Sequence, residues 1–103
     1  MLTREIYIEK LDAKLDKWNA YLNKLEKKSK ELNGEIQRSF EQKLEDIRSR
    51  RDVVLAKLGQ IKSAAEGTWT NLREETRDAR KKLVDAFSQA HIQIHAIIDS
   101  QHN

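Results

Sequence analysis

Apolar side chains step along this chain by three and four residues: Ile8, Leu11, Leu15, Trp18, Leu22 and Leu25. That alternation keeps one side of an α-helix apolar and turns the others to water. A half-buried strand would need a step of two. The stripe continues through Ser29, Leu32, Ile36, Phe40, Leu44, Ile47, Arg51, Val54, Leu58 and Ile61. It resumes as Ala65, Trp69, Leu72, Thr76, Ala79, Leu83, Phe87, Ala90, Ile94 and Ile97. From Ile8 to Ile97 it takes 25 steps over 89 residues, about 3.6 residues per step. That is the period of a straight helix, whereas a left-handed coiled coil needs about 3.5. The fold class is therefore all-α, with weak supercoiling.

Nothing in the composition opposes long helices. Proline is absent, and it would cost roughly 3 kcal/mol inside a helix. Hydrophobic residues make up 38% and charged residues 36% of the 103. Average proteins hold roughly 45–50% and about 25%, so the chain fits narrow seams better than a thick core. The outer face offers Glu26–Lys30, Asp46–Arg50 and Asp78–Lys82 in the favoured i, i+4 order. Thr3 is an N-cap type with Glu5 in the first turn.

The stretch SAAEGTWTNL, residues 63–72, interrupts the pattern. Ala64 and Ala65 thin the seam, Gly67 weakens a helix, and Thr68, Thr70 and Asn71 are cap types. Ser63 with Glu66, or Asn71 with Glu74, has capping-box spacing, and Gly59 is another possible stop. The favoured reading is one domain, a long antiparallel hairpin. A helix over about 3–64 turns at 65–68 and returns as a second helix over 69–99. Leu58 and Ile61 would then approach Trp69 and Leu72, Leu44 would approach Phe87, and Ile36 would approach Ile97. A further break at Asn33-Gly34, a strong turn dipeptide, would give a three-helix bundle instead. An unbroken rod is the third possibility.

In the hairpin, the seam over Thr3–Leu32 has no partner of its own. Leu11, Leu15, Trp18, Leu22, Leu25 and Leu32 are then an expected interface, for a second copy or a partner helix. Trp18 and Trp69 read as core anchors on the stripe. Ser29, Thr76 and the stem of Arg51 would dilute it and set register.

His91 and His95 are the only candidate metal ligands, since a spacing of four sets both imidazoles on one helix face. Asp99 continues that row and His102 lies near it. No Glu follows the first His, so this is not a metalloprotease motif, and surface histidines beside the seam are the simpler reading. HIQIHAII also alternates in period two, but nothing else in the chain offers a second strand. Arg48–Arg51 and Lys24–Lys30 are the densest basic clusters; acids interleave, which argues for solvated helix surface over nucleic-acid binding. No phosphate loop, nucleophile elbow or cysteine is present. No enzyme, cofactor or small-molecule substrate is expected. The longest aliphatic run, Val53–Ala56, is far short of a membrane span, and a cytoplasmic location is expected.

YIEKLDAKLDKWNAYLNKLEKK, FEQKLEDIRSRRDVVLAKLGQIKSA and TWTNLREE resemble segments of the small bacterial coiled-coil stress-response family first named in cyanobacteria. The likeness runs from about Leu2 to Ala90, anchored on Trp18-Asn19-Ala20 and on Trp69. It departs at Asn33-Gly34 and in the histidine-containing tail. The resemblance implies a soluble, non-enzymatic bacterial protein tied to stress, and carries over no site residues. The expected role is a structural or interaction protein working through its leucine seam. The alternative is an amphipathic peripheral membrane binder, and the weaker one a nucleic-acid binder.

Overall fold

The structure is a computed structural model that describes residues 3–101. It is all-α: α1 spans Arg4–Lys30, α2 Gly34–Ser63 and α3 Trp69–Gln101. At 1.5 Å per residue these are about 40, 45 and 50 Å long. They lie side by side in a body of 56 × 20 × 17 Å. Two reversals make α1 and α3 parallel to each other and antiparallel to α2.

The second reversal falls where the alanine-rich joint predicts it. Helix α2 ends at Ser63, Ala64 leaves helical backbone at ψ 151°, and α3 opens at Trp69. Neither candidate capping box forms: the Ser63 hydroxyl donates back to the Gly59 carbonyl at 3.2 Å, and Asn71 lies inside α3 and not at its start.

The first reversal replaces the expected continuous helix over 3–64. Helix α1 stops at Lys30, and α2 starts after only three intervening residues. Gly34 takes a φ of +58°, which glycine adopts without the steric cost a Cβ would add. The corner is tied by Ser29, fully buried, whose hydroxyl donates to the Glu41 carboxylate at 2.7 Å. Gln37 donates from its side chain to the Ser29 carbonyl at 2.9 Å. The polar gap in the seam is thus the peg of the turn.

Folding α1 back fills the seam from inside. Leu11, Leu15, Leu22, Leu25, Phe40, Leu44, Ile47, Val54, Leu58, Ile61 and Leu83 are all at most 3% exposed and share one core with Trp69, Phe87 and Ile94. The hairpin expected for α2 and α3 survives within the bundle; Ile36 and Ile97 line one depression at its far end. Thr76 is buried and spends its hydroxyl on the Leu72 carbonyl at 2.7 Å, inside its own helix. HIQIHAII is helical throughout.

The start of α1 is anchored twice. The Thr3 hydroxyl accepts from the Ile6 amide at 3.2 Å, as an N-cap does. The Arg4 guanidinium donates to the Ala64 carbonyl and pairs with Glu66 at 3.1 Å, clasping α1 to the α2–α3 turn. No described helix is long and apolar enough to cross a membrane.

Candidate functional site

The predicted interface is not an open surface. Leu11, Leu15, Leu22, Leu25 and Leu32 are at most 6% exposed within the single chain. The reason is the turn at Glu31–Asn33, which supplies α1 with a partner from the same molecule. Only Trp18 of the six keeps a wet edge, half-buried against the core.

The arginine cluster conspicuous in the sequence is used internally, whereas in the Lys24–Lys30 cluster only Lys28 has an ion pair among the described residues, with Glu31 at 3.8 Å. Arg48 reaches Glu45 at 3.0 Å, Glu26 at 3.4 Å and Glu41 at 3.9 Å. Arg50 pairs with Asp46 at 3.0 Å and donates to the Lys82 carbonyl at 3.1 Å. Arg51 pairs with Asp52 at 3.2 Å and donates to Asn19 at 3.3 Å, its stem lying along the α1–α2 seam. Lys57 meets Glu75 and Lys62 meets Asp12 across the same two helix junctions. The α1–α2 and α2–α3 junctions are laced with opposite charges.

The α1–α3 junction is different. Two depressions follow one another along it and share Lys14 and Arg80. The first, about 210 Å³, is lined by Tyr7, Lys10, Leu11, Lys14 and Arg80. The second, about 480 Å³, is lined by Lys14, Trp18, Arg77, Arg80, Lys81 and Val84. Neither contains an acidic side chain. Of these cations only Arg77 has an ion pair among the described residues, with Glu74 at 3.7 Å on its outer side.

Such a line of like charges costs the fold energy. Its mark is on Lys14, whose ammonium is held below the usual lysine value of 10.5 by the charge of Arg80 first, then by burial, then by Lys10 and Lys17. At the head of the groove the Tyr7 hydroxyl is buried without a hydrogen-bond partner among the described residues. The junction is a cationic trough with an indole in its wall.

Leu11 and Trp18 of this lining are among the sequence candidates, as interface residues; the cations are not. The signal is present all the same: Lys10, Lys14 and Lys17 step by four and three, and so do Arg73, Arg77 and Arg80. Each triplet occupies one helix face. Only the fold reveals that the two faces meet. Arg73 turns partly aside and stacks over Trp69 at 5.3 Å.

The histidine pair sits farther along the same junction. The His91 and His95 rings are 4.4 Å apart, and His91 Nδ1 shares a 2.7 Å hydrogen bond with the Tyr21 hydroxyl. Among the described residues no three His, Asp or Glu side chains are close enough to hold one ion. His102 lies outside the described residues.

No protein-family model matches the chain, and comparison with curated proteins and with solved structures returns no match.

Proposed function

We propose that this chain is a non-enzymatic helical binding module whose α1–α3 groove takes a polyanionic partner. The observation behind the reading is the groove's charge: Lys10, Lys14, Arg80 and Lys81 line it without an acid or an ion pair among the described residues. The other two junctions carry paired charges, so the imbalance is local and not a consequence of a net charge of only +3. A partner that supplies negative charge relieves the repulsion that the folded chain carries alone. The interaction role expected from the leucine seam thereby moves to another surface. A link to stress rests on the resemblance of residues 7–28, 40–64 and 68–75 alone.

Inorganic polyphosphate tests the reading, because it offers charge without bases or apolar surface. Titration calorimetry at low salt is expected to show binding that weakens steeply as salt rises. Lys14→Glu with Arg80→Glu should abolish it, while Arg48→Glu should leave it in place. Binding that ignores the double reversal, or no binding, would sink the proposal.

A further inference from the structure

We infer that the polyanion suited to this groove is single-stranded nucleic acid, with one base stacked on Trp18. The inference rests on the polyanion reading and specifies its ligand.

The groove has two chemistries in fixed order. Its rim is cationic, with Lys10, Lys14, Arg80 and Lys81 projecting from two parallel helices. Its wall is apolar and small: the half-buried indole of Trp18, Val84 and the alkyl stems of the basic side chains. From Lys10 to Trp18 the α1 side runs about 12 Å. A single strand presents the same two chemistries, a phosphate line and unstacked aromatic faces. Stacking on an aromatic side chain between basic residues is how proteins hold it without reading sequence.

Other polyanions fit the arrangement less well. An acidic amphipathic helix needs apolar anchors spaced along a groove at about i, i+4 and i+7. Tyr7 and Leu11 also line the groove but are only 7% and 1% exposed, which leaves one indole and one valine as the apolar surface on offer. A bilayer surface calls for a convex apolar face with charged flanks. Trp18 instead leans back against the core between two helices. Duplex DNA keeps its base faces stacked and closed to an indole recessed in a trough. A single strand is the one that uses both rim and wall.

The test uses the full chain carrying Trp69→Phe, so that Trp18 is the remaining fluorophore. Unstructured oligo-deoxythymidine, double-stranded DNA of equal length, inorganic polyphosphate and phosphatidylserine vesicles are titrated in turn. Oligo-deoxythymidine is expected to quench Trp18 and to bind more tightly than the duplex. With four rim cations engaged, log affinity should fall against log salt with a slope of about −3. In the chain that keeps Trp69, Trp18→Leu should weaken the oligonucleotide about tenfold by fluorescence anisotropy and leave polyphosphate unchanged. Circular dichroism of each variant confirms that it is folded; Trp18→Phe serves as a ring-retaining control that should recover most of the affinity.

Three results would overturn the inference while leaving the groove a polyanion site: equal loss for polyphosphate and oligonucleotide in Trp18→Leu, tighter binding of duplex, or Trp18 responding to vesicles and not to oligonucleotide. Absence of all binding, or binding unmoved by Lys14→Glu with Arg80→Glu, would overturn the underlying reading as well.

Discussion

The three glycines look alike in the sequence and are not alike in the fold. Gly34 alone has a positive φ, +58°, so a Cβ there strains the backbone even though nothing lies within 4 Å of it. Gly34→Ala should lower unfolding stability by about 1–2 kcal/mol in urea melts. Gly59 lies inside α2 and Gly67 in the second turn, both with open space around a built Cβ and without positive φ. Gly59→Ala should raise stability by roughly 0.5–1 kcal/mol, since alanine is the better helix former. Gly67→Ala should be neutral or mildly stabilising. Equal effects at Gly34 and Gly59 would contradict the turn geometry. The Asn33-Gly34 dipeptide did announce this turn in the sequence. The competing signal was the 4-4-4 spacing from Leu32 to Leu44, which continues across it. Spacing of that kind records which side faces the core. When a three-residue turn returns the chain to the same core, the spacing survives the reversal and hides it.

Among the helices, α1 shows what pattern reading resolves and what it misses. Its start at the Thr3 cap and its core residues are legible in the sequence, because cap chemistry and period are local, while its end at Lys30 is not, since the favoured reading runs the helix on to about residue 64. Nor is its partner, because that depends on a turn. Leu15→Asp with Leu22→Asp separates an open seam from a closed one. Placed at an open interface, the aspartates would separate two copies that stay helical. Placed in this core, where both leucines are at most 3% exposed, they should unfold the chain and abolish its helical circular dichroism signal. Leu22→Ala is the milder form and should cost about 2–5 kcal/mol. Arg4 gives a second check on how α1 docks. Arg4→Met removes the clasp on Ala64 and Glu66, and should cost about 1–2 kcal/mol. Hydrogen exchange should then rise first at the start of α1 and in the 64–68 turn; a uniform rise would place the clasp elsewhere. The groove was hidden for a related reason. Lys14 and Arg80 are 66 positions apart, and each basic triplet is interleaved with acids that fold onto other faces, as Asp12 does toward Lys62.

As a body, the molecule keeps its seam inside and sets a run of cations without acids along the α1–α3 groove, and both have measurable consequences. A closed seam removes the motive for self-association, so sedimentation velocity should find the single-chain mass of 12.1 kDa in a rod near 56 Å long. A dimer would mean that another face associates. The charge asymmetry makes stability depend on ionic strength. Salt screens exposed charges over about 10 Å at 0.1 M, so added salt should raise the melting temperature by weakening repulsion across the α1–α3 groove. Lys14→Gln removes the central charge and should do the same in low salt, with a gain within about 0.5 kcal/mol that shrinks as salt is added. The pH dependence has a definite sign. Lys14 holds its proton less firmly folded than unfolded, so its destabilising effect is fully present below its folded value. That effect is relieved as pH rises toward 10.5, because the folded chain sheds this proton first. Burial raises Tyr21 above 10.0, so the folded chain keeps that proton longer, and the tyrosine removes stability as pH climbs past 10.0. The two slopes oppose each other near pH 10. Urea melts of the parent chain between pH 8 and 11 should therefore change less than those of Lys14→Gln, which retains only the loss from Tyr21. If both chains lose stability in parallel, or if the low-salt gain persists undiminished in 1 M salt, the repulsion attributed to the groove is absent.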